Sequence, residues 1–337
     1  MNIIEKTDPR FPAYWEQLWE RDAIQYPRYL PTELEAARTY AKDSAFEDRS
    51  ALVAFGSEPI AGLVLTVQQS PDGQPPRLSA YGRPICWVAD VGLPARKLVA
   101  AAKLLMNHLH HVRSEHGAQQ FSFRDFCAGG DASPFTQRLL QQPDSVPHVG
   151  FSQVLDLGRT TEELIAQSGS ATRDWLRKNA TTQRLRLIEG SDAGLHDIEE
   201  FRRLHTEFRG REVRTREAWL SLLNVVKSGQ GFLVYGYLGD QLASVAYFAV
   251  SSRMCCSRIN AVDLGIAGRS WTLALVWHAV RHARELGCQY FEAGERVFPG
   301  SWPKPTPKYI SMSDNKAVFG GMLRPHIDVV SSDHAAA

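Results

Sequence analysis

The stretch between residues 232 and 292 constrains the fold more than any other. Three β-like runs, 232–238, 242–250 and 254–261, follow one another, the first two joined by Gly239-Asp240. That dipeptide is a hairpin signal. Helical spacing then holds from about residue 270 to 286 and stops at Gly287, a natural C-cap residue. A further β-like run, 288–292, follows. A meander feeding a helix that opens at a glycine loop, then another strand, is an α+β layout. Its anion-attracting point is the helix start, where backbone N–H groups and the helix dipole face outward.

The first half shows the same grammar. Runs 51–56 and 60–69 flank Gly56-Ser-Glu-Pro59, and a proline-rich loop leads to a third run, 85–91. An amphipathic helix follows on Leu98, Ala101, Ala102, Leu105, Leu109 and Val112. Strands are expected at 120–126 and 151–157, and a helix at the start around Tyr14, Trp15 and Trp19. With 337 residues, about two domains are expected. The reading is therefore two lobes, 1–155 and 156–337, each with its own central sheet, and a linker near 145–165.

Charge is balanced, 38 Lys+Arg against 37 Asp+Glu, which argues against a wholesale polyanion binder. The longest apolar runs are too short to span a bilayer, and charges occupy the N-terminus where a signal peptide needs its apolar core. Five cysteines form no CxxC pair, so reduced thiols and a cytoplasmic location are expected.

Several residues carry candidate chemistry. Gly265 and Gly268 let the backbone approach a ligand, with Arg269, Ser270 and Trp271 at the helix entrance. Arg173, Arg177 and Lys178 share a helix face, suited to a phosphate clamp or to solvent. Arg211 lies in a second basic cluster with Arg209, Arg214 and Arg216, a solvated loop or a phosphate grip. Glu292, at a strand end, and Asp263, beside the glycine loop, are the candidate general bases; either also suits an ion pair. His108, His110 and His111 lack a third well-spaced ligand, and the His278–His282 pair lacks a catalytic Glu, so no metal site is expected.

Set after a three-stranded meander, the loop 263–270 resembles the acyl-donor loop of the GNAT acyltransferase superfamily. The tail Asp314-Asn-Lys316-Ala-Val-Phe319-Gly320-Gly321 is similar to the Phe-Lys-x-x-Phe-Gly-Gly segment of FemAB-type transferases. These are tandem-GNAT enzymes that move aminoacyl groups from tRNA onto peptidoglycan precursors. Residues 172–180 resemble the family's Arg-x-x-Ile-Arg-Lys-Ala helix, and Tyr290-Phe-Glu292-Ala-Gly294 resembles its closing strand. The matching elements stand in family order over residues 160–325.

The resemblance implies an α/β (α+β) fold of two fused GNAT-like lobes, each a mixed β-sheet flanked by helices, with the active cleft mainly in the second. It implies N-acyl transfer to an acceptor amine, with no tightly bound cofactor. Lys316 would stabilise charge in the cleft, and Phe319 would line the acceptor side with Arg173, Arg177, Lys178 and Arg211. Aminoacyl-tRNA is the expected donor, because Trp271 at the helix start would crowd a pantetheine arm yet stack on an RNA base. Acyl-coenzyme A is the alternative donor. A small molecule of a biosynthetic pathway, a nucleotide-linked compound and a peptidoglycan precursor are the candidate acceptors. A non-catalytic ligand-binding module on a degenerate GNAT scaffold is the competing reading.

Overall fold

The computed structural model describes residues 1–41, 44–69, 73–128, 130–179, 184–266 and 271–331. The first part contains β1 (Asn2–Glu5), α1 (Phe11–Arg21), a 3-10 turn (Pro27–Tyr29), α2 (Pro31–Tyr40), β2 (Ala45–Asp48), β3 (Ala51–Phe55), β4 (Glu58–Val64) and β5 (Thr66–Gln69). It continues through β6 (Arg77–Ser79), β7 (Ile85–Ala89), α3 (Ala95–His116), β8 (Gln120–Asp125), α4 (Pro134–Leu139) and β9 (Ser145–Asp156). Then come α5 (Thr161–Gln167), α6 (Ser170–Asn179), β10 (Arg184–Glu189), α7 (Leu195–Arg209), α8 (Arg216–Lys227), β11 (Gly231–Leu238) and β12 (Gln241–Val250). The chain closes through β13 (Met254–Val262), α9 (Trp271–Glu285), β14 (Tyr290–Arg296), α10 (Pro307–Ala317) and β15 (Met322–Ser331). No described helix is long and apolar enough to cross a membrane.

The expectation of two central sheets does not hold. One sheet runs β1-β3-β4-β7-β8-β15-β9-β14-β13-β12-β11-β10, with β2, β5 and β6 branching from it. The join is β15, which pairs antiparallel with β9 from Met322↔Val154 to Ser331↔Ser145 and with β8 from Ile327↔Asp125 to Val330↔Ser122. Without it, β8 and β9 would present open edges, and unpaired backbone groups in a buried sheet are costly. Pro325 falls where β9 is the paired neighbour, so its missing N–H breaks no second ladder.

The expected meander is present. β11, β12 and β13 pair antiparallel in sequence order, and β12 is buried over nine consecutive residues because helices cover both faces. Phe232, Val234, Phe248 and Cys255 pack on α9 through Leu275, Val276 and Ala279, whereas Leu233, Tyr235, Val245 and Tyr247 pack on α7 and α8 through Phe201, Trp219 and Val226. A separate cluster builds the first part around Leu105, Leu109, Phe121, Phe123 and Phe135, with Val329 of β15 included. α1 and the 3-10 turn belong to both parts. Trp15, Tyr26 and Tyr29 pack with Cys86 and Val88 of β7 and also with Met254 and Cys256 of β13.

The feature that shapes the site is a pair of parallel strands that separate. β13 and β14 pair only at Met254↔Tyr290, Cys255↔Phe291 and Cys256↔Glu292. Beyond those rungs β13 stays with β12, while β14, irregular between Glu292 and Gly294, stays with β9, its partner from Tyr290 onward. β7 and β8 repeat the device, pairing at Ile85↔Phe123 and Cys86↔Arg124 alone.

Candidate active site

The opening between β13 and β14 is bounded by the loop that leads into α9. Asp263 follows β13, and its Oδ1 accepts a hydrogen bond from Gly265 N at 2.8 Å, shaping the turn. Gly268, Arg269 and Ser270 lie outside the described residues. Trp271 corrects the expectation of a ligand-stacking ring. It is 8% exposed and packs with Ala243 and Val262. Its ring carbons lie 3.2 Å from where a Cβ on Gly236 would stand. That glycine leaves a hollow in β11 that the indole fills, so Trp271 is a core residue and crowds no donor.

On the β13 arm, the register shift against Tyr247/Phe248 leaves Arg258 as an extra, bulged residue. Its guanidinium lies 3.6 Å from Glu33, while Nε is buried with no hydrogen-bond partner. Glu33 is 2% exposed. It accepts hydrogen bonds from Tyr247 Oη at 2.5 Å and Arg83 Nη2 at 3.1 Å. Burial raises its pKa, but Arg258, Arg83 and the Tyr247 hydroxyl outweigh that and leave it below the usual carboxylate range.

Glu292, at the last rung before the strands part, is 3% exposed. Tyr26 Oη donates to its Oε2 at 2.5 Å and Ser152 Oγ to its Oε1 at 2.6 Å. Burial pushes the Tyr26 hydroxyl well up, and the Glu292 charge adds to the effect, so Tyr26 remains a donor. The pocket beside Glu292 holds only about 10 Å³, the scale of a single water. The carboxylate therefore ties the first segment to β9 and β14 and is enclosed rather than open.

Lys316 lies in the last turn of α10, and its Nζ donates to the Glu295 carbonyl at 2.7 Å. Its alkyl chain crosses Gly294, where an added Cβ would stand 3.0–3.2 Å from Cε, Nζ and Cδ. Burial lowers the lysine pKa, against the pull of Glu295 and Glu292. Around it stands an ionic network. Arg124 Nη1 hydrogen-bonds Glu295 Oε1, and Arg28 lies 3.9 Å from that oxygen. Arg124 also grips Asp328 in two places, at 2.6 and 2.9 Å, and His326 lies 3.5 Å from Asp328. Burial opposes ionisation of both carboxyls. For Glu295 the Arg124 and Arg28 charges overcome it, and for Asp328 the His326 and Arg124 hydrogen bonds do, holding each at about 2.

The rest of the tail motif is structural. Phe319 is 5% exposed and packs with Leu155, Leu164 and Phe291, which corrects its assignment to the acceptor side. Gly320 and Gly321 have φ of +75° and +78°. A Cβ on Gly320 would lie 2.5 Å from the Gln167 carbonyl, and one on Gly321 2.3 Å from Val154 O. The chain passes between α5 and β9 with no room for a side chain. The α6 region meets the same place, with Gly169 N bonded to Val318 O and Ser168 Oγ to Phe319 O. Arg173, expected on phosphate, instead donates to Ala166 O and Ser168 O, closing the end of α5. Arg177 and Lys178 lie on α6, their side chains outside the described residues. Arg211 is exposed between α7 and α8.

Sequence reasoning missed Tyr26, Arg28, Arg124, Ser152, Arg258 and Glu295. Only Glu295 carried a signal, as the residue after Gly294 in the closing strand. The others come from segments with no motif.

A family model of the acetyltransferase (GNAT) domain matches residues 170–299, the span containing both arms of the opening. No curated protein matches the sequence. Solved structures similar to the whole chain include FemX, 11% identical over 97% of each chain with a TM-score of 0.69. L-PGS from Bacillus licheniformis is 12% identical over 90% of this chain and 92% of that one, with a TM-score of 0.57. A tandem GNAT protein from the clavulanic acid biosynthesis pathway is 11% identical over 98% of each chain, with a TM-score of 0.52. At such identities these likenesses establish the fold, a mixed α/β architecture of the tandem-GNAT type. The parting of β13 and β14 lies inside the span that the GNAT domain model matches.

Proposed function

We propose that the chain is an N-acyltransferase that passes an aminoacyl group from aminoacyl-tRNA to an acceptor amine. Residues 1–155 and 156–337 are read as its two lobes, the second holding most of the cleft. The observation that carries the reading is the parted β13/β14 pair with Lys316 held over Gly294 on the β14 arm. An acyl carbonyl in that opening would develop negative charge as the amine attacks. A fixed ammonium is suited to stabilise it. The C–N bond forms, the ester C–O bond breaks and the terminal ribose hydroxyl leaves. Glu292 is enclosed and Glu295, held at about 2, is too acidic to take a proton from an ammonium near neutral pH. Water is therefore proposed to carry the amine's proton to the departing ribose oxygen.

The tRNA donor is supported by the FemAB-like tail and by the likeness to FemX and to a putative lysylphosphatidylglycerol synthetase (TM-score 0.58, 13% identity, 95% of this chain and 94% of that one). A coenzyme A thioester is the second reading. With Trp271 folded into the core, the objection to a pantetheine arm is gone. Purified protein should be assayed with charged tRNA, with and without ribonuclease, beside a panel of acyl-coenzyme A donors and a set of amines. Ribonuclease-sensitive transfer is expected. Ribonuclease-insensitive turnover of a thioester would replace the donor, and no transfer from either would overturn the reaction.

A further inference from the structure

The second parallel pair that parts, β7/β8, encloses a cavity of about 190 Å³. It is smaller than the roughly 300–1,000 Å³ of pockets that hold drug-sized ligands. Trp19, Tyr26, Tyr29, Trp87 and Phe126 line it. The rings of Tyr26, Tyr29 and Phe126 are mutually packed, with centroids 4.3–6.2 Å apart. Asp22 and Asp125, 8% and 5% exposed, also line it with the exposed Asp131, and no Lys, Arg or His does among the described residues.

Both buried carboxylates are held in place by neutral donors. Asp22 Oδ2 accepts from Ile24 N and Gln25 N at 3.2 and 2.6 Å. Asp125 accepts from Cys127 N, Ser133 N and Thr136 Oγ1 at 2.9, 2.6 and 2.5 Å. Neither has a salt-bridge partner among the described residues. Burial alone drives the Asp22 carboxyl up to about 6, and backbone hydrogen bonds and the more distant Arg253 offset it only in part. The cavity thus presents aromatic faces and three carboxylates, two of them buried, with no cation in its described lining. An ammonium satisfies both, through cation–π contact and ion pairing. An anionic ligand meets like charge.

We propose that this cavity is a binding site for a small organic ammonium, seated among Tyr26, Tyr29 and Phe126 and paired with Asp22 and Asp125. The site adjoins the β13/β14 opening through Tyr26, which donates to Glu292, but the inference does not rest on the transfer reaction.

The test is calorimetric titration of the full chain with phenethylamine, beside 2-phenylethanol and 3-phenylpropanoate as neutral and anionic counterparts. Tryptophan fluorescence follows the same titrations, because Trp19 and Trp87 line the cavity. One-site binding of the amine is expected, about tenfold tighter than the alcohol and tighter still than the acid. Asp22→Asn should remove most of the preference for the amine. Ala132→Phe, which fills the cavity from the loop before α4, should abolish binding while the melting transition persists. If that variant does not fold, Val91→Trp closes the same space from the end of β7. Equal binding of the three ligands would make the cavity merely apolar and overturn the proposal. So would no saturation by the amine in the millimolar range, or binding unchanged in a folded, cavity-filled variant.

Discussion

Replacing Lys316 tests the reaction centre most directly. Its Nζ is already fixed on the Glu295 carbonyl at 2.7 Å and its chain lies against Gly294, so little reorganisation is needed to meet a developing oxyanion. Losing one such preorganised group costs about 2.7–4 kcal/mol of transition-state stabilisation, or roughly a hundredfold to a thousandfold in turnover. The stability cost should be much smaller. Because burial lowers the lysine pKa, the folded state disfavours the charged form relative to the unfolded chain; that penalty is full below the lowered value and is relieved as pH rises towards 10.5. Removing the charge relieves that penalty, while losing the hydrogen bond to Glu295 costs about 1 kcal/mol. Lys316→Met keeps the length and apolar contact without the charge. It should retain a near-native melting temperature while kcat/KM falls by the factor above and the alkaline limb of the pH profile disappears. Lys316→Arg should recover part of the rate, since a planar guanidinium cannot follow the same path over Gly294. Gly294→Ala should act similarly by displacing the lysine, with added strain at a φ of +124°. Initial rates with whichever donor supports transfer, measured beside thermal melts, decide the matter. Activity of Lys316→Met within about twofold of wild type would refute the role, because a missing oxyanion donor never costs so little.

Three further outcomes follow from the packing. Gly320→Ala should destabilise the fold by about 1–3 kcal/mol or more in urea unfolding, through left-handed strain and contact with Gln167; a loss under about 0.5 kcal/mol would contradict the packing. Glu33→Ala leaves Arg83 and Arg258 unpaired and should cost about 3–5 kcal/mol; a neutral result would show that the arginines find other partners. Glu295 and Asp328 have folded pKa values of about 2 against ordinary values of 4.5 and 3.8, so their stabilisation is complete above that range and is lost as pH falls towards 2. Arg124→Leu should therefore move acid unfolding, followed by circular dichroism, to higher pH; an unchanged midpoint would remove Arg124 as the cause.

Local pattern determined the meander β11–β13, the helix after it and the stop at Gly287, which has a φ of +84° as a C-cap glycine does. Alternation and helical spacing are properties of neighbouring residues, so they are readable without partners. The tail motif was also legible, but its parts divided: Lys316 lies against Gly294 and bonds the Glu295 carbonyl, whereas Phe319, Gly320 and Gly321 are needed for close packing. Only the tertiary structure decided that β15 unites the sheet, because Pro325, His326 and Asp328 interrupt its apolar alternation and its pairing is with strands some 170 to 200 residues earlier. It alone decided that Trp271 fills the hollow at Gly236. It likewise joined Tyr26 to Glu292, 266 residues apart, and Arg124 to Glu295, 171 apart. Whether a carboxylate is an open base or an enclosed tie depends on which groups surround it in space, and sequence spacing carries no record of that.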